Sequence, residues 1–175
     1  MITSTEITDY SEADLHYVLC MANMEGAQQL CRDMINGGFS GSFSHATVIM
    51  SLVHHGVELF LKYAICKANK KTPNNHYIRG LLKEYDAAYP DECFRLDLPF
   101  VTQFIGHTEE EVQKLVKNEE QYKNRTDQMG RYHCDQFGLS WEGFYAFIPV
   151  SFLTKAESLT ARFLILRSHI ESDNG

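Results

Sequence analysis

Positive charge is the scarcer sign in this chain: 16 Lys+Arg stand against 23 Asp+Glu in 175 residues, a net charge of −7. A protein that coats nucleic acid without sequence preference is normally basic, so that class is disfavoured. A local basic patch is not excluded, because net charge is not a charge map. Proline is rare, at four residues, and glycine numbers eleven. Most stretches with helical spacing escape both, which points to an α-rich fold. Long apolar runs are scarce as well. The stretch FYAFIPVSFL is about half of the ~20 residues a bilayer-spanning helix needs. The opening MITSTEITDYSEADL is polar and acidic, unlike a basic and then apolar secretory leader. These features lead us to expect a cytoplasmic protein without membrane contact.

Cysteine is also uninformative as a framework. Cys20, Cys31, Cys66, Cys93 and Cys134 are odd in number, scattered, and without CxxC spacing. Reduced thiols, mostly buried as small hydrophobes, are expected. Glycine-rich phosphate loops, dinucleotide fingerprints, GxSxG and zinc spacings are all missing, so no cofactor is expected. His16/Cys20, His54/Glu58 and His55/Glu58 are lone helical pairs. None has the second Glu-x-x-His that a di-iron bundle would require, and no metal is expected.

What is present is an ordinary globular composition, 44% hydrophobic and 22% charged, enough for one core and a single domain over 1–175. A first helix is predicted after Asp9, with Asp9 and Glu12 at capping-box spacing. Its apolar positions are Leu15, Val18, Leu19, Ala22, Ala27, Leu30, Met34 and Ile35, and the doublet Gly37-Gly38 stops it. A second helix spans about 44–69, with Ile49, Leu52, Val53, Gly56, Leu59, Phe60 and Tyr63 on one face. A glycine inside that face predicts close approach of a neighbouring helix. A short third helix, about 76–89, follows Pro73-Asn74-Asn75. Further on, Thr108 is placed to cap EEEVQKLVKN, and the residues around 119–145 read as a loop or small hairpin. In the last helix Pro149 suits the first turn. Phe152, Ala156, Leu159, Phe163, Leu166 and Ile170 repeat at 4-3-4-3-4 spacing, a packing seam for a bundle.

Two segments, VELFLKYAICKANKK and NNHYIRGLLKEYDAAYP, resemble the HEPN superfamily of helical domains. Members have a Glu-x-x-x-Lys helix, a polar turn, and then a His followed by a Leu-Leu pair. Here those residues are Glu58, Lys62, His76, Leu81 and Leu82. The resemblance covers roughly 45 residues closely and the other helices by order. It implies an all-α, up-and-down bundle of four to five main helices, often dimeric. Many members are metal-independent endoribonucleases that use an Arg, four to six intervening residues, and a His. Others lack that motif and act as interaction or nucleotide-binding partners, including in toxin–antitoxin and phage-defence systems. The implied partners are a second copy, RNA or a nucleotide, or another protein.

In this chain Arg162 and His169 have the family spacing, six residues between them, and lie at i, i+7 on one side of a helix. Arg and His would suit the phosphate-stabilising and acid–base roles of a ribonuclease. Phe163, however, occupies a position where the family favours a polar residue. A solvated basic stripe, extended by Lys155, is the structural alternative. Arg125, Arg131 and His133, with Tyr122 and Tyr132, mix cations with aromatics as a nucleotide or single-stranded RNA grip would. A plain surface loop would look the same. Glu58 and Lys62 read first as a packing pair, with phosphate binding by Lys62 as the alternative. A homodimer is expected because the last-helix seam and GFYAFIPVSF offer more apolar surface than one small bundle needs.

Overall fold

The computed structural model describes residues 10–38, 43–98 and 147–173. Within them lie four α-helices: α1 (Glu12–Ile35), α2 (Phe43–Asn69), α3 (Ile78–Ala88) and α4 (Pro149–Asp173). A 3₁₀ turn (Glu92–Phe94) follows α3. No strand occurs among the described residues, and the fold is an all-α helical bundle. The helix expected behind Thr108 and the loop or hairpin around 119–145 lie outside the described residues.

The cap of α1 is Ser11, and Asp9 lies outside the described residues. Ser11 Oγ accepts the Asp14 amide at 3.1 Å and donates to Asp14 Oδ2 at 2.5 Å, satisfying an otherwise orphaned N–H. The helix stops where expected. Gly37 takes a left-handed φ of 76°, and the Gly38 amide reaches back to Asp33 O at 2.8 Å.

The buried face of α1 overlaps the one read from its apolar residues only in part, at Ala27, Met34 and half-buried Leu30. Val18, Leu19 and Ile35 are exposed, while Ala13, Tyr17, Cys20, Met24, Ala27, Cys31 and Met34 form the core stripe. That stripe repeats at 4-3-4-3-4-3. It is built from small, soft or amphipathic side chains, so hydropathy alone misses it, but the spacing is that of a packing seam.

α2 is the central helix. α1 runs along it, α3 packs on it, and α4 packs against both α1 and α2. Every residue from Gly56 to Cys66 is buried. This corrects the expectation, drawn from FYAFIPVSFL, that apolar stretches reach only about half of a bilayer-spanning length. By length and composition, Ser44–Asn69 is apolar enough to cross a membrane, with a mean hydropathy of 1.3 in its best window. In the fold 72% of that window is covered by the bundle, and a helix covered all round is apolar all round. The expected close approach at Gly56 is present. A Cβ there would lie 2.9 Å from Met24 Sδ and 3.4 Å from Cys20 O, so α1 sits directly on the α2 backbone.

The α4 seam is buried as read, from Ala156 to Ile170. Phe163 stacks on Phe60 with centroids 4.1 Å apart and planes 8° from parallel. From Phe60 an aromatic chain continues through Tyr85, Tyr89 and Phe94 back to His169 on α4. Two hydroxyls fix it: Tyr85 donates to Phe94 O at 2.6 Å, and Tyr89 to Ala64 O at 2.9 Å. On the other side of α4, Gln28 Nε2 donates to Thr160 Oγ1 at 2.8 Å and Arg32 pairs with Glu157 at 2.7 Å.

Candidate functional site

Among the described residues, two regions gather the candidate side chains. The first lies within the buried length of α2, where Glu58 and Lys62 are only 4% and 7% exposed. Lys62 Nζ is 3.0 Å from Glu58 Oε1. The chain reverses after α2 and brings His76, just before α3, to the same oxygen: Nδ1 lies 2.9 Å from Glu58 Oε1 and 3.3 Å from Lys62 Nζ. The same ring nitrogen thus faces both the carboxylate and the ammonium, on a side chain that is 66% exposed. His55 Nδ1 stands 3.6 Å from Glu58 Oε2, an ion-pair distance and too long for a hydrogen bond.

Burial alone would raise the Glu58 pKa. The His55 ring, the Lys62 ammonium and the His76 ring outweigh it and hold the carboxyl down to about 2. Next to it, burial pushes the His54 imidazole down to about 4, against a smaller opposing pull from Glu58. His16, reaching in from α1, is likewise lowered, by burial and then by Lys62. At neutral pH the cluster is therefore an ionised carboxylate held by a lysine, with neutral His54 beside it. A carboxylate this acidic is a poor proton acceptor near pH 7, so the arrangement ties α2 to the approach to α3 rather than moving protons.

The second region is the face of α4 turned to the 3₁₀ segment. Arg162 Nε donates to Arg95 O at 3.1 Å, and Nη2 donates to Cys93 O at 2.8 Å and Arg95 O at 2.6 Å. One turn pair further along, the His169 ring meets Phe94 edge-on at 6.0 Å. Its Nδ1 is buried and has no hydrogen-bond partner among the described residues. The i, i+7 spacing thus does place both residues on one face, and that face is occupied by residues 93–95. Beside Arg162 opens a cleft of about 400 Å³, walled by Lys155, Ser158 and Arg162 on α4 and by Glu92, Arg95 and Asp97 opposite. His169 is not part of it.

Of the remaining sequence candidates, Lys62 belongs to the α2 cluster, and Arg125, Arg131 and His133 lie outside the described residues. Among the described residues no group of three or more His, Cys, Asp or Glu side chains is placed to hold a metal ion. Cys20 is fully buried and its thiol is pushed well above the usual range by that burial. Sequence reasoning missed the gathering of histidines around Glu58. His54 and His55 carried a signal, lying four and three residues before Glu58 on one helix. His16 carried none, since only the packing of α1 brings it near. Compared with known protein families, curated proteins and solved structures, the chain matches none of them.

Proposed function

We propose that this chain is a HEPN-like helical domain acting as a non-catalytic binding or interaction module, associated with RNA, a nucleotide or a partner protein, as in toxin–antitoxin or defence systems. What supports the family reading is that Lys62, one turn along α2, and His76, beyond the reversal of the chain, both meet the same carboxylate oxygen of Glu58, and the resemblance rests on these three residues. What favours a module over a ribonuclease is Arg162. Its Nε and Nη2 are spent on backbone carbonyls, and the adjoining cleft lacks His169. An acid–base partner and a phosphate cation that do not share a cleft are poorly arranged for a joint reaction.

The homodimer part of the proposal keeps only part of the surface expected for it, Ile148 and Val150 of the GFYAFIPVSF stretch. The α4 seam is consumed by the core, and what remains outward is Ile148, Val150, Leu164 and Ile165, each about half exposed or more. A copy of the chain seated there would cover them.

The test is an endonuclease assay on structured and single-stranded RNA in EDTA, beside a binding assay on the same RNAs and sedimentation for mass. Binding without cleavage is expected. Cleavage that vanishes in both Arg162→Lys and His169→Ala, with folding intact, would overturn the module reading, because residues working as a unit fail together.

A further inference from the structure

The cleft beside α4 has a bipolar lining that neither the scaffold role of Arg162 nor the proposed module role uses. Lys155, Ser158 and Arg162 stand at i, i+3 and i+7, one face of the helix. Arg162 is held rigid by three hydrogen bonds to carbonyls, yet no carboxylate among the described residues pairs with its charge, and its Nη1 donors have no partner there. The Lys155 ammonium and the Ser158 hydroxyl likewise have no hydrogen bond or ion pair among the described residues. A guanidinium fixed in advance, with an ammonium and a hydroxyl beside it, is suited to a planar or tetrahedral dianion.

The opposite wall has the other sign. Arg95 is forked between Glu92 at 3.4 Å and Asp97 at 3.2 Å. Two carboxylates against one guanidinium leave that wall with net negative charge. A polyanion running through the cleft would meet it; a compact ligand with one anionic end would not. Buried Leu159 provides the apolar floor, and about 400 Å³ is within the size range of small-molecule sites.

We infer that this cleft binds a small phosphomonoester whose remainder is uncharged or cationic. The phosphate lies against Lys155, Ser158 and Arg162 Nη1, and the remainder points to Glu92 and Asp97. The site does not depend on the RNA or nucleotide association proposed above.

Calorimetric titration of the full chain with phosphoethanolamine tests it, with glycerol 3-phosphate and hexauridylate as comparisons. Phosphoethanolamine is expected to bind, and to bind more tightly than glycerol 3-phosphate. Lys155→Glu, and separately Ser158→Asp, should each weaken it about tenfold or more, the worth of one charge-assisted contact. Both positions are on the helix surface, so a circular dichroism spectrum like that of the wild type is expected for each. Glu92→Gln with Asp97→Asn should erase the preference over glycerol 3-phosphate. Hexauridylate should not compete. If it binds elsewhere and ignores Lys155→Glu, the module reading stands independently of this site. Phosphatidylethanolamine vesicles, whose phosphate is a diester, should not co-sediment the chain. Absence of phosphoethanolamine binding, binding indifferent to both Lys155→Glu and Ser158→Asp, displacement by hexauridylate, or vesicle binding lost in Lys155→Glu would each overturn the inference.

Discussion

Lys62 and Arg162 are both half or more withdrawn from solvent, and the two are treated in opposite ways. Lys62 is neutralised at 3.0 Å by a carboxylate that also takes His76. Arg162 is anchored by dipoles: three hydrogen bonds to carbonyl oxygens hold its shape without cancelling its charge. A buried charge with its counter-charge is a packing element, costly to disturb and silent toward ligands. A charge fixed by backbone oxygens remains electrostatically open, as a recognition site requires. The residue that first looks like the odd charge in a core helix is thus scaffold, and the one on the surface stripe is the better candidate for binding.

The sharpest way to break this comparison is to remove one half of the buried pair. Glu58→Leu strands Lys62 inside the bundle and is expected to cost about 3–5 kcal/mol in urea unfolding. The double substitution Glu58→Leu, Lys62→Met should cost less than Glu58→Leu alone. If the two losses simply add, the pair is not a coupled buried unit.

The next effect is in pH. The folded His54 stays neutral down to about pH 4, while the unfolded one takes up a proton at its ordinary value of 6.5. Between those values the unfolded state binds more protons, so stability falls as pH drops from 6.5 to 4, by up to about 3 kcal/mol. Below about 4.5 the Glu58 contribution is lost as well, progressively toward pH 2. Stability measured against pH should therefore decline in two stages. His54→Gln should flatten the upper one and leave the lower in place.

Gly56 offers a smaller and more pointed test, because two effects oppose each other there. Alanine would gain about 1 kcal/mol of helix propensity, but its Cβ would press on fully buried Met24 at 2.9 Å. Overpacking costs about 1–3 kcal/mol, so a net loss of about 1 kcal/mol is expected. A more stable Gly56→Ala would mean that the helices separate readily. At the surface, Arg162→Ala should cost about 1–2 kcal/mol through the lost carbonyl contacts, whereas Lys155→Ala should stay within about 0.5 kcal/mol. A comparable loss at Lys155 would show that it has a structural partner after all.

Much of the architecture was readable because the relevant signals are local. Gly37 ends α1, Pro149 opens α4, and the 4-3 repeat from Phe152 to Ile170 gave the seam that packs on Phe60. The face of α1 was not readable by hydropathy, since Tyr17, Cys20, Met24 and Cys31 score weakly beside Leu15, Val18 and Leu19. Packing spacing, the same 4-3 repeat, would have identified it. Glu58 and Lys62 could be read as a pair within one helix. That His76 joins them depends on the reversal after α2. The destination of Arg162 could not be read at all, because a backbone carbonyl has no sequence signature. The same holds for the edge-on contact of His169 with Phe94.

The placement of α4 also sets an order of events. Helices α1, α2 and α3 meet neighbours close by in sequence, but α4 touches α1 through Gln28 and Thr160, 132 residues apart. Closing so long a loop is entropically slow and is rewarded only after the ends have met. The first three helices are therefore expected to form early and α4 to dock after them, an order that stopped-flow refolding of Phe163→Leu against Tyr17→Phe would check. Until it does, Phe60 lacks the ring that stacks on it and the Met24–Cys31 stripe of α1 is only partly covered. Conditions that delay docking of α4, rather than those that melt the first helices, should govern how much of this chain is lost to aggregation on the way to its native state.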